Sequence, residues 1–217
     1  MGVTQFDIQL IEKALKIKPD IKSVMQLGSQ NNYTTTAEKP PFMSEWFRTR
    51  GIECDSIDLA GDDGAFKIDM SHPFPIEKEY DLVTDFGTGE HIVQMEGYES
   101  VAFHEGHINS IYPTKVKDID AGYYYGWSNK HNLLKVGGII INVNPKTGHW
   151  PEHCYSYLTW EFYKEFIKYA GYEIIELGEN CALGNCDTGI NVYCIMKKTS
   201  ERFPNRIEFT KLPVYRQ

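Results

Sequence analysis

Four segments carry side chains that could hold a ligand: Gln26-Leu27-Gly28-Ser29, Asp58-Leu59, Asp69-Met70 and Asp85-Phe86. Gly28 allows a tight turn with close approach of backbone to a ligand. Asp58 stands 30 residues later, at the end of a second apolar run. A carboxylate so placed can accept both hydroxyls of a ribose, which predicts a nucleoside-containing cofactor. A second kind of chemistry resides in His91, His149 and His153, each of which follows a strand-like run. Imidazole titrates near neutral pH and can take a proton from an acceptor. The plainer alternative for each is a surface or loop histidine, and for Asp69 a cap on the turn Ser71-His72-Pro73.

The elements that must position these residues are legible as alternating patterns. Thr4, with Asp7 three residues on, caps a helix spanning 4–18 whose apolar residues Phe6, Leu10, Ile11, Ala14 and Leu15 recur at helical spacing. Strands are expected at Ser23 to Leu27, Cys54 to Leu59, Tyr80 to Asp85, Gly138 to Val143, Tyr172 to Leu177 and Asn191 to Lys197. Helices are expected at Phe42 to Arg50, Gly126 to Lys135 and Thr159 to Ala170. Alternation of this kind calls for a doubly wound α/β domain with a mostly parallel sheet, its ligand at the carboxyl ends of the strands. Between Gln94 and Trp127 the chain is longer than a crossover needs and rich in aromatics, including Tyr112, Tyr123, Tyr124 and Tyr125. The stretch 94–127 reads either as a lid or substrate wall, or as a packed surface hairpin or dimer contact.

Composition excludes several classes. Of 217 residues, 41% are hydrophobic and 24% charged, which suits one globular domain spanning 1–217. No apolar run approaches the length of a membrane span, and the first residues lack a basic segment followed by an apolar core, which fits a cytoplasmic protein. The formal charge of −8 repels a phosphate backbone, so general nucleic-acid binding is not expected. Five dispersed cysteines suit reduced thiols rather than a disulfide framework or a zinc hook.

The ordered segments resemble the class I S-adenosylmethionine-dependent methyltransferases, from about Ser23 to Lys197. SVMQLGSQNN is similar to the family's first motif, SIDLAG to the segment whose acid binds the ribose, and DMSHPFP to the loop whose acid lies beside the adenine. YDLVTDFGTGEHI resembles the fourth motif, HNLLKVGGIIINVNP the helix and fifth strand, and YLTWEFYKEFIKYAGYEIIEL the next helix and strand. The resemblance implies a seven-stranded sheet with its last strand antiparallel and S-adenosyl-L-methionine as cofactor. It implies cofactor contacts from Gln26, Gly28, Ser29, Asp58, Leu59, Asp69, Met70, Asp85 and Phe86. The block GHWPEHCYSY, with His149 and His153, falls where this family builds acceptor pockets.

The chain departs from the family pattern. Gln26 stands at the usual acidic position, and Gln30 and Asn32 stand where later glycines belong. A dinucleotide fold shares the geometry, but needs glycines around a pyrophosphate at a helix N-terminus. One glycine and no prompt helix favour the methyl donor, which has no phosphate to cradle. Glu90-His91 resembles a metal-binding pair of some members, including small-RNA 3′-end methyltransferases, with His104, Glu105 and His107 as conceivable partners. Gly87 replaces the usual further Glu, so no metal is expected. Asp85-Phe86-Gly87-Thr88 replaces the Pro-Pro-aromatic motif used on nucleobase amines, and no cysteine stands there for a thiolate adduct. The expected function is O- or N-methylation of a small polar acceptor. The alternatives are a non-catalytic subunit of the same fold and an RNA 3′-end methyltransferase.

Overall fold

The computed structural model describes residues 2–34, 41–104, 107–181, 186–187 and 189–216, with the side chains of Asp62 and of residues 98–113 outside that description. Helix α1 (Gln5–Ile17) begins where its capping residues dictate. The Asp7 carboxylate accepts the Thr4 amide at 2.8 Å while the Thr4 hydroxyl accepts the Asp7 amide. Its Ile8, Leu10, Ile11 and Ala14 pack with Met43 and Phe47 of α2 (Met43–Arg48) on one face of a sheet.

That sheet has six strands: β1 (Ser23–Leu27), β2 (Glu53–Ile57), β3 (Tyr80–Phe86), β4 (Leu134–Pro145), β5 (Tyr172–Cys181) and β6 (Ile190–Lys198). Their spatial order is β5-β6-β4-β3-β1-β2, and only β6 runs antiparallel to its neighbours. Successive residues of the central strands face opposite layers. Leu82, Ile139 and Ile141 meet α1 and α2, whereas Val83 and Ile140 meet α3 (Ile119–Leu133) and α4 (Trp160–Tyr169). Burial on both faces explains the unbroken run Ile139-Ile140-Ile141.

Three expectations are corrected. The sheet has six strands among the described residues, not seven. The connection from β2 to β3 contains Pro73 and Pro75, which cannot donate ladder bonds, and holds a short turn at Asp62–Gly64 instead of a strand. Helix α3 starts earlier than expected, because the Asp118 carboxylate accepts the Ala121 amide at 2.8 Å and caps it there. Tyr123 and Trp127, four residues apart on one helix face, are therefore core residues rather than a lid, both 2% exposed. The rest of the 94–127 stretch includes a hairpin of Tyr98–His104 with His107–Pro113. Finally, Cys181 and Cys186 form a disulfide, while Cys54, Cys154 and Cys194 are free and buried.

Register fixes where the site lies. Leu27 of β1 faces both Ile57 of β2 and Asp85 of β3, so these three strands end side by side. The chain passes from β1 to β2 on one side and returns through β3 on the other. Such a reversal opens a crevice at the carboxyl ends of the strands.

Candidate functional site

Gly28 leaves β1 with φ 78°, and its amide donates to the Ile57 carbonyl at 2.7 Å. A Cβ at this position would lie 2.7 Å from Thr88 Oγ1 and 2.9 Å from Gln30 Nε2, so glycine is required by both conformation and space. Gln30 Nε2 donates to the Leu27 carbonyl at 3.0 Å and to Thr88 Oγ1 at 3.2 Å, and Thr88 Oγ1 donates to the same carbonyl at 3.0 Å. Two polar side chains thus close the turn where the family pattern has further glycines.

Asp58 follows directly on β2 and is half-buried. Its Oδ2 accepts the Ser29 amide at 2.9 Å and its Oδ1 accepts the Ala60 amide at 2.7 Å. Two amides from different segments hold this carboxylate and join the turn after β1 to the end of β2. Each carboxylate oxygen can accept more than one hydrogen bond, so the pair retains capacity for a diol. Leu59 lies beside it, also half-buried.

The other sequence-predicted ligands are engaged elsewhere. Gln26 is buried within the sheet, where its Oε1 accepts from Cys54 Sγ at 3.3 Å and Ser56 Oγ at 3.4 Å. Asp69 makes the turn cap that was its plainer alternative, accepting the Ser71 amide at 2.8 Å and lying 3.2 Å from His72 Nδ1. Met70 is buried, and its carbonyl accepts Asn129 Nδ2 at 3.0 Å. The Asp85 carboxylate is fully buried; it accepts the Thr88 and Gly89 amides and pairs with Lys130. The Phe86 ring packs in the apolar layer beneath α1. Of the nine expected cofactor contacts, Ser29 and Asp58 are joined by a direct hydrogen bond, and Gly28, next to Ser29, donates to Ile57, next to Asp58.

Two of the three histidines converge. A short turn at Gly89–His91 follows β3, and His153 lies in the loop after β4. The His91 and His153 rings are 5.1 Å apart at 71°, and Glu90 joins them. Glu90 is 1% exposed, its Oε2 accepting Asn144 Nδ2 at 2.9 Å, while Tyr163 donates to Asn144 Oδ1 at 3.4 Å. Burial, followed by repulsion from Asp85, raises the Glu90 carboxyl well above its ordinary range. Burial and then the neighbouring His153 press His91 down to about 4, which leaves it neutral at pH 7; burial also lowers His153. His149 stands outside this trio, with a buried Nδ1 that has no hydrogen-bond partner among the described residues. Asn144 was not singled out from the sequence, although a polar residue ending the run IIINVN was a usable signal. A depression of about 390 Å³ bordered by Glu77, Lys78, Glu79, Asn132 and Glu201 lies at the amino end of β3, away from these groups.

No family model matches the chain, and no curated protein does. Solved structures do match. A 1,6-didemethyltoxoflavin-N1-methyltransferase of Burkholderia thailandensis, bound to 1,6-didemethyltoxoflavin and S-adenosylhomocysteine, superposes with TM-score 0.56 at 13% identity over 87% of this chain and 76% of its own. The N-methyltransferase NodS of Bradyrhizobium japonicum, in complex with S-adenosylhomocysteine, gives 0.54 at 11% identity over 91% and 89%. An O-methyltransferase of a trans-AT PKS multienzyme of Brevibacillus brevis, in the same kind of complex, gives 0.50 at 12% identity over 93% and 78%. The chain therefore has the α/β fold of S-adenosylmethionine-dependent methyltransferases.

Proposed function

We propose that the protein is an S-adenosylmethionine-dependent methyltransferase acting at oxygen or nitrogen of a small polar acceptor. The observation that carries this reading is Asp58: a half-buried carboxylate at the end of β2, tied by the Ser29 amide to the Gly28 turn, with acceptor capacity for a ribose diol. The fold shared with enzymes that bind S-adenosylhomocysteine supports the same cofactor. When bound, the cofactor supplies a methyl carbon whose bond to sulfur breaks as its bond to the acceptor forms, leaving S-adenosylhomocysteine and a proton.

Gly28, Ser29 and Asp58 hold the nucleoside side of the crevice, with Leu59 and Met70 as apolar neighbours. His91, His149 and His153 serve the acceptor side, orienting it and receiving its proton. The net charge of −8 supports a small acceptor over a nucleic acid.

Calorimetry with S-adenosylmethionine and S-adenosylhomocysteine tests the reading. Both should bind, and Asp58→Ala should weaken binding by about 1.5–3 kcal/mol, the range for a hydrogen bond to a charged group. Asp58→Asn, which keeps the shape but only one of the two amide contacts because its NH2 group cannot accept, should also weaken binding. Binding of NAD but of neither methyl-donor form would overturn the assignment.

A further inference from the structure

We propose that Glu90, His91 and His153 bind one divalent transition-metal ion, and that the ion's open positions take an oxygen of the acceptor. The second half rests on the methyl-transfer reading; the first does not. One carboxylate oxygen and two imidazole nitrogens, one from each residue, lie within 4.8 Å of one another, and no other such trio occurs among the described residues. Two imidazoles and a carboxylate select zinc, iron, manganese or cobalt over magnesium or calcium, and three protein ligands leave a position open.

The surroundings are those of a supported ligand set. Asn144 holds one Glu90 oxygen at 2.9 Å and is itself contacted by Tyr163, so the carboxylate is oriented before any ion arrives. The other oxygen lies 4.0 Å from His91 Nε2, too far for a hydrogen bond. Among the described residues no lysine or arginine forms an ion pair with Glu90, because the nearby Lys130 pairs with Asp85. A carboxylate 1% exposed with no firm cation partner is costly, and a bound cation would relieve that cost. The Tyr155 amide donates to the Glu90 carbonyl at 3.2 Å, tying the loop that carries His153 to the turn that carries the other two.

Donor atoms sharing an ion at bonds of about 2.0–2.2 Å lie roughly 3–3.5 Å apart in tetrahedral geometry. The trio must therefore contract, and His153, exposed on its loop, can supply the movement by side-chain rotation. The third ligand comes from the loop after β4; of the partners the sequence suggested, Glu105 and the side chains of His104 and His107 lie outside the described residues. Thr88, which closes the Gly28 turn, is two residues from Glu90 in the chain, so the ion would border the crevice. A bound ion acidifies a coordinated hydroxyl, which makes an alcohol or phenol the favoured acceptor. The two imidazoles then act through the ion, and His149 is left to receive the proton.

The test uses the full chain, stripped with a chelator and titrated with Zn²⁺, Mn²⁺ and Co²⁺ by calorimetry, with visible absorption read for Co²⁺. One equivalent of at least one ion should bind with a micromolar or tighter dissociation constant. His153→Ala, an exposed substitution that should spare the fold, and His91→Ala should each weaken binding at least tenfold. Absence of stoichiometric binding overturns the site, as does binding that both alanine variants leave unchanged. S-adenosylhomocysteine binding to the stripped protein, measured in parallel, separates the two readings. Metal binding without it keeps the metal site and removes the methyl-transfer reading, and the reverse removes the metal site.

Discussion

Lys130 of α3 and Asp85 of β3 form an ion pair at 2.9 Å in which neither side chain is more than 1% exposed. Lys130 also donates to Asn142 Oδ1 at 2.9 Å and lies 3.7 Å from the centroid of the Trp127 ring. The other Asp85 oxygen holds the Thr88 and Gly89 amides, so the pair anchors the turn that presents Glu90 and His91.

Removing one partner leaves a buried charge uncompensated. Lys130→Met should therefore cost about 3–5 kcal/mol in denaturant unfolding. Lys130→Met/Asp85→Asn should be more stable than the sum of its single variants predicts, by at least about 0.5 kcal/mol. Additive losses would mean that the two groups do not act as a pair.

Gly28→Ala places a side chain at φ 78° against Thr88 and Gln30. It should destabilise the protein by about 1–3 kcal/mol and weaken S-adenosylhomocysteine binding more than tenfold. Thermal unfolding and calorimetry on the same sample separate the two effects. Unchanged cofactor affinity in a folded variant would place the cofactor away from this turn.

Local signals made the main elements legible. The Thr4–Asp7 cap, the unbroken apolar runs of the central strands and the placement of Asp58 at a strand end all reappear in the structure. What the sequence obscured depends on distant partners. Asp85 looked like a ligand because it ends a strand, yet Lys130, 45 positions away, occupies it. His153 reads from the sequence as a candidate base, but its place beside His91 shows only once β4 packs beside β3. The start of α3 was missed because Tyr123-Tyr124-Tyr125 suggests a lid, whereas the Asp118 cap carries the helical face through them.

The Cys181–Cys186 bond predicts a thiol count. Under denaturing, non-reducing conditions three thiols should react with a chromogenic reagent, those of Cys54, Cys154 and Cys194, rising to five after reduction. By the chain-entropy relation, closure of so short a loop is worth about 2 kcal/mol, so reduction should lower stability by no more than that. Five reactive thiols before reduction would exclude the bond.

Asp81 sets an acid limit on stability. Burial alone would raise its carboxyl, but the Lys22 amide, the Lys135 ammonium and the Ser23 hydroxyl outweigh it and hold the group at about 2. Its Oδ2 accepts the Lys22 and Ser23 amides and the Ser23 hydroxyl at 3.0–3.1 Å, and its Oδ1 accepts Lys135 Nζ at 2.9 Å. The folded value lies below the unperturbed 3.8, so the folded state favours the ionised form. The resulting stability is fully present above about pH 4 and is lost as pH falls toward 2. Asp81→Asn should cost on the order of 1–2 kcal/mol at pH 7, because its donors lose a charged acceptor. The gap between wild type and variant should narrow steadily from pH 4 to pH 2 in urea unfolding. Asp7, raised by burial, acts in the opposite sense but is common to both proteins and cancels in the difference. A gap that stays constant down to pH 2 would show that the Asp81 charge contributes nothing to its hold on Lys22, Ser23 and Lys135.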